Sequence, residues 1–145
     1  MRVVLIDTGP IVAFLSRRDR HHAWAEEALA AVRPPLVTCE AVLSEATYLL
    51  RGIVGGPDRV LELVTRGLVV PSFRLEQESA SVRALMSRYS GVAMDLADAC
   101  LVRLSELHPD CLLMTVDAEF RDVFRRRGRQ AIPTLLPTPV RRRPR

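Results

Sequence analysis

The chain contains no lysine: all 21 of its basic residues are arginine. A P-loop nucleotide hydrolase needs a lysine to reach the phosphates, so that class is excluded. Cysteine is scarce, and Cys39, Cys100 and Cys111 are odd in number, far apart and never in a C-x-x-C arrangement. Neither a disulfide framework nor a zinc site is indicated, and buried free thiols are expected. No apolar run reaches the roughly 18 residues that a membrane span requires. The N-terminal stretch "VVLIDTGPIVAFL" is interrupted by Asp7 and no small-residue cleavage site follows it, so it does not read as a signal peptide and a cytoplasmic location is expected. Low-complexity tracts, internal repeats and a nucleophile-elbow sequence are missing too. What remains is 145 residues, 48% hydrophobic and 26% charged. That is one globular domain, burying roughly 70% of the surface its unfolded form exposes.

Charge is present but unevenly placed. Eight arginines (125, 126, 127, 129, 141, 142, 143 and 145) follow residue 124, a segment with no acid, so residues 1–124 carry 13 Arg against 17 acids. The body is net −4 and the last 21 residues +8. Such an end reads as an electrostatic arm for nucleic acid or an acidic protein, or as a merely solvated terminus.

Apolar patterning alternates between short β-branched runs and amphipathic stretches. Strands are expected at 2–6, 36–38, 68–71 and 111–116, with an edge strand at 130–136. Helices are expected at 8–18, 19–32 (capped by Asp19), 39–52, 55–67, 75–89, 95–107 and 117–128. Strands separated by helices imply an α/β chain: a three-layer α/β/α sandwich around a mostly parallel sheet. Ligands bind such sheets beyond the carboxyl ends of the strands. Asp7 directly follows the first strand and Asp117 the strand at 111–116.

Two further acids are out of place. Asp98 is the only polar residue from Leu96 to Val102, and Glu45 lies in "AVLSEATYLL", read as a core-facing helix. Asp95 is a natural helix cap that shares a face with Asp98. Each acid alone has a structural reading, as a cap or an ion-pair partner. Four converging carboxylates repel, however, and a bound divalent cation removes the repulsion. Oxygen-only ligands from Asp7, Glu45, Asp98 and Asp117 select hard Mg2+ or Mn2+ over zinc. An ion at a sheet edge suits phosphodiester chemistry. His21 and His22, beside Trp24, read as packing residues rather than a transition-metal site.

The order "LIDTGPIVAFL", "SEATYLL", "MDLADACL" and "LLMTVDAEF" resembles the PIN domain and, in size and spacing, the VapC-type ribonuclease toxins of toxin–antitoxin pairs. The resemblance spans residues 1–136, leaving 137–145 as a basic, flexible tail. It implies that Asp7, Glu45 and Asp98 form the core of a metal site completed by Asp117. Thr115 would orient a carboxylate or water, and Thr8 matches a small hydroxyl residue after the first acid. Glu119 stands where many relatives have Asp, and is a supporting ligand at most. The implied activity is Mg2+- or Mn2+-dependent cleavage of single-stranded RNA by a metal-activated water. The implied partners are a second copy of the chain and an antitoxin docking on apolar surface within residues 40–70.

Other folds fit less well. A haloacid-dehalogenase-type phosphatase wants a second Asp where Gly9 stands, and an RNase H-like nuclease opens with antiparallel strands. The reading from a different class is a PIN-fold RNA-binding or protein-interaction module without turnover.

Overall fold

The computed structural model describes residues 2–138. Four apolar residues, Val3–Ile6, form β1, which runs into α1 (Thr8–Leu15) and then α2 (His22–Ala30). β2 (Leu36–Thr38) is followed by α3 (Glu40–Leu49) and α4 (Gly56–Thr65), and β3 (Val69–Pro71) by α5 (Leu75–Arg88). After a 3-10 turn come α6 (Leu96–Leu107), β4 (Cys111–Met114) and the short α7 (Glu119–Asp122). β5 (Arg125–Arg126), β6 (Gln130–Ala131) and β7 (Thr134–Leu135) complete the described chain.

Five strands make one sheet in the order β3-β2-β1-β4-β7, every pairing parallel. β1 is central because it is apolar on both faces: Leu5 and Ile6 are buried, as a strand covered by helices on both sides requires. The chain builds outward from β1 to β2 and β3, then returns to add β4 on the other side. Strand order therefore reverses at β1, and the crevice beyond the ends of β1 and β4 is the switch point where such folds bind ligands. Helices α1 to α4 pack on one another, as do α5 and α6. This is the expected three-layer sandwich.

The C-terminal third departs from expectation. Instead of one helix over 117–128, α7 ends after Asp122, and the arginines enter the antiparallel hairpin β5-β6. Arg127 and Gly128 make its turn with φ of +49° and +81°, the left-handed region that glycine adopts freely. The edge strand expected at 130–136 splits at Pro133, which has no N–H to donate to a ladder. Its carbonyl still accepts from the Leu113 N–H at 2.8 Å, and β7 takes the sheet edge. Tyr89, Phe120 and Phe124 fasten this segment to the body, in edge-to-face pairs with centroids 5.3 and 5.2 Å apart. The Tyr89 hydroxyl also accepts the Arg125 N–H at 2.9 Å.

Three of the eight C-terminal arginines are thus built into the fold. Arg126 donates to the Ser105 carbonyl at 3.0 Å, and Arg127 to the Glu106 carboxylate through its backbone N–H at 2.6 Å. Both dock on the last turn of α6, where exposed carbonyls attract positive charge. The expected arm beginning at 125 is corrected accordingly: 125–127 are body. Arginines 141–143 and 145 lie outside the described residues.

Smaller corrections concern helix starts. Asp19 does not cap α2; its Oδ1 accepts the His21 N–H at 2.8 Å in a turn before the helix, a local bond that competes with helix initiation. Asp7 is the cap of α1, its side chain accepting the Thr8 N–H. The two histidines pack as expected: His22 Nδ1 lies 2.7 Å from the Ala13 carbonyl, and His21 sits edge-on to Trp24. All three cysteines are buried and free.

Candidate functional site

Asp7 leaves β1 at the switch point. Its N–H extends the sheet ladder to the Met114 carbonyl at 3.0 Å, so its backbone position is fixed by the sheet. Its side chain accepts the Thr8 N–H at 2.7 Å as the cap of α1, and the Thr115 hydroxyl at 2.7 Å. That hydroxyl cannot turn away from Asp7 without loss, because its own oxygen accepts the Asp117 N–H at 3.0 Å. Thr115 therefore ties the first acid to the last across β1 and β4.

Glu45 arrives from α3. The helix is core-facing through Val42, Leu43, Ala46 and Leu50, but Glu45 itself is exposed on its margin. This corrects the expectation of a core-facing acid: the apolar residues around it in sequence occupy the other face of the helix. Its Oε2 accepts the Thr8 hydroxyl at 3.0 Å. Thr8 thus holds Asp7 with its backbone and Glu45 with its side chain.

Asp95 and Asp98 open α6 as a reciprocal capping box. Asp95 Oδ1 accepts the Asp98 N–H at 2.7 Å, and Asp98 Oδ2 accepts the Asp95 N–H at 3.2 Å. Two orphan N–H groups of the helix end are satisfied. Asp117 closes the set, its Oδ1 accepting the Glu119 N–H at 2.9 Å. Glu119 enters through its backbone; its side chain does not line the site.

Asp7, Glu45, Asp98 and Asp117 line one cavity of about 260 Å3, together with Thr8, Gly9, Leu49, Asp95 and Val116. Asp95 is both cap and wall. Buried Thr115 lies behind this lining. Among the described residues, no three histidine, cysteine or acidic side chains are drawn together as a ready-made metal cage; the carboxylates stand around a common opening. A second cavity of about 310 Å3, between α1, α2 and α4, is almost wholly apolar, with Glu26 its one charged lining residue. It has none of the polar groups that chemistry on a phosphate would need, so the acid cleft is the candidate site.

Burial and mutual repulsion mark the cleft electrostatically. Asp7 is pushed up to about 6, first by burial and then by the charges of Glu45 and Asp117, against the lowering hydrogen bonds from Thr115 and Thr8. Asp98 is pushed up to about 8, again first by burial, with Asp95 and Asp7 adding repulsion. Groups so perturbed in a cleft are the physical signature of a functional site.

Nothing in the sequence assigns Gly9 a structural role, though a glycine inside the first turn of a helix is a visible anomaly. A Cβ built there would lie 2.3 Å from Val116 Cγ2. Only glycine lets the loop carrying Asp117 close over α1. Gly9→Ala is expected to destabilise the protein by about 1–3 kcal/mol through overpacking, outweighing the gain of about 1 kcal/mol in helix propensity. Val116→Ala in the same chain should recover part of the loss. Urea unfolding of the single and double variants measures both, and a Gly9→Ala protein as stable as wild type would mean the loop has room to spare.

The apolar surface expected within residues 40–70 is present. Tyr48, Leu49, Ile53, Val54 and Leu61 are all exposed, Val54 to 97%. The Arg51 guanidinium lies 3.8 Å over the Tyr48 ring. No helix among the described residues is long and apolar enough to cross a membrane.

No curated protein matched the sequence. Among solved structures, the fold is similar to that of Mycobacterium tuberculosis VapC20, a sarcin-ricin loop cleaving toxin, with a TM-score of 0.67 and 18% identity over 80% of this chain and 91% of that one. At that identity the likeness is one of fold. The sequence pattern of the PIN domain matches residues 4–125, a span that includes all four acids of the cleft. On that match, the chain belongs to the PIN domain family.

Proposed function

We propose that the protein is a divalent-metal-dependent endoribonuclease that hydrolyses phosphodiester bonds in single-stranded RNA, and that it serves as the toxin of a toxin–antitoxin pair. The observation that carries this reading is the convergence of Asp7, Glu45, Asp98 and Asp117, from four separate segments, on one cleft at the switch point. The VapC20 likeness and the PIN family membership agree with it.

The donor set fits a hard cation. All four side chains offer oxygen only, as Mg2+ or Mn2+ prefers. Burial first, and then mutual repulsion, raise Asp7 and Asp98, and a bound cation would offset both. When bound, such an ion would polarise the phosphate and make a water acidic enough to attack it. The chain's own part is positioning. Thr115 and the Thr8 N–H aim the two oxygens of Asp7, the Thr8 hydroxyl holds Glu45, and the capping box holds Asp98 at the mouth of α6. Cleavage of unstructured RNA with Mg2+ or Mn2+, abolished by EDTA, is the test. RNA binding without cleavage under any divalent ion would instead favour a binding module.

Partners follow from surface. The exposed apolar residues of α3 and α4 suit a second copy of the chain and an antitoxin segment, and a cytoplasmic setting suits both. The arginines beyond residue 138 suit RNA. Deleting residues 138–145, which removes four Arg, is expected to weaken RNA binding and to flatten its salt dependence by a slope of roughly 0.7 per lost phosphate contact. Catalytic turnover at saturating RNA should survive. Filter binding across a salt series reads this directly, and an unchanged slope would assign the arginines to another partner or to none.

A further inference from the structure

The acid cleft takes up the sheet edge beyond β1 and β4. Beyond β2 and β3, on the neighbouring half of the same edge, lies a cavity of about 580 Å3 that the acid chemistry does not use. Phe73, in the segment between β3 and α5, lines it and is buried. Leu75 and Leu96, the first residues of α5 and α6, line it too, yet remain 42% and 41% exposed. Leucines so wetted are stabilised when an apolar surface covers them. The two cavities adjoin. Ser44 lines this one and Glu45 the acid cleft, while in the first turn of α6 Leu96 lines this one and Asp95 and Asp98 the cleft. α3 and the start of α6 are therefore a common wall, and a single strand with one phosphate at the carboxylates carries a neighbouring base to the second cavity.

Polar groups decide what fits there. Glu40, the first residue of α3, is exposed on the cavity wall, and its carboxylate has no hydrogen bond or ion pair among the described residues. Arg74 Nη2 lies 3.4 Å from Glu76 Oε1, which steadies the guanidinium and leaves its other donors open. Carboxylates repel phosphate, so the occupant must bring hydrogen-bond donors to Glu40 and acceptors to Arg74. Among the RNA bases only guanine offers a pair of adjacent donors, N1–H and the N2 amino group, to one carboxylate, with O6 and N7 left to accept from a guanidinium. Its apolar faces suit the two leucines, as bases splayed from single strands are held by their faces and their edges. We propose that this cavity binds a guanine beside the cleaved phosphate, Glu40 accepting N1–H and N2–H and Arg74 donating to O6 or N7. The site deepens the ribonuclease reading, on which it rests, by naming the base that directs the cut. An acid in the first turn of α3 also suits the helix dipole, a structural role that carries no preference among bases.

The test gives the full chain, with Mn2+, single strands of adenosine and uridine that hold either one guanosine or one inosine, which lacks only the N2 amino group. Wild type is expected to cut at a fixed position relative to the guanosine, and to prefer it over inosine about tenfold in kcat/KM, a modest value for a paired base contact. Glu40→Gln should lower kcat/KM on the guanosine strand by about the same factor, mainly through KM, and should erase the preference, because the amide turns one acceptor into a donor. Arg74→Ala should raise KM on both strands alike, since inosine keeps O6 and N7. Circular dichroism establishes that both surface variants fold. Equal rates on the two strands in wild type, or a preference that survives Glu40→Gln, would overturn the site. Fluorescence anisotropy of the same strands in EDTA keeps the two readings apart: the guanosine strand should bind about tenfold more tightly whether or not any strand is cut. That preference without cleavage would refute the nuclease and leave the guanine site standing, whereas cleavage blind to guanine would do the reverse.

Discussion

Asp7→Asn, Glu45→Gln and Asp98→Asn are each expected to lower the rate of RNA cleavage by more than about a hundredfold at saturating Mn2+. Loss of a supporting partner alone costs a metal site about ten- to a hundredfold, and removal of a ligand should cost more. Thr115→Val belongs to the smaller class. It deletes the hydroxyl that holds Asp7 and accepts from Asp117, but leaves all four carboxylates in place. Asp117→Asn should be graded, because it stands on the loop after β4 and its Oδ1 already accepts from Glu119. Glu62→Gln, on the exposed face of α4, is the control and should change nothing. Initial rates on an end-labelled single strand measure the series, with circular dichroism to establish folding. Near-wild-type rates in all three ligand variants would remove the metal assignment, whatever the family.

The parts of this site that were legible in sequence are those where a charge interrupts an apolar pattern. Asp7 inside "VVLIDTGPIVAFL" and Asp98 inside "LADACLV" stand out because burying a carboxylate is costly, and the βα alternation places the first of them at a strand end. Glu45 was found by a partly mistaken route. Its apolar neighbours do build a core-facing helix, but period 3.6 turns Glu45 itself away from that core and into the cleft margin. Asp95 looked like a choice between cap and site, whereas the capping box makes it both. What sequence could not deliver is long-range pairing. That the Arg125–Arg127 run docks as a hairpin on α6 and that Val116 needs the missing Cβ of Gly9 both depend on contacts between residues far apart in the chain. A run of arginines carries no local signal that separates a solvated arm from guanidinia capping helix carbonyls.

The ligand-free protein is expected to lose stability as pH rises from about 4 to about 8, and Mn2+ should restore it at the upper end. Asp7 rises from its ordinary value of 3.8 to about 6 on folding, and Asp98 from 3.8 to about 8. Across that window the folded state keeps protons that the unfolded chain has released, so stability falls with pH. For Asp7, which is buried, the rise is equivalent to about 3 kcal/mol at 1.36 kcal/mol per pH unit. Asp98 is only partly buried and contributes less than its shift suggests, because water screens it. Asp98→Asn should therefore flatten the pH profile and leave the apo protein as stable as wild type or more so at pH 7.5. The Asn carbonyl can still accept the Asp95 N–H, and the backbone N–H of residue 98 still donates to Asp95, so both halves of the capping box are kept. At a hundred times its dissociation constant, Mn2+ should add about 2.7 kcal/mol at pH 7.5, a melting shift of very roughly 5–10 °C for a chain near this size. At pH 5 the shift should nearly vanish, because the cation must then displace the protons that Asp7 and Asp98 hold. Thermal melts at pH 5, 6.5, 7.5 and 8.5 with and without Mn2+ separate the two effects. An apo stability that climbs through this window would show that Asp7 and Asp98 already have a compensating positive partner, and would remove the electrostatic reason for a cation in the cleft.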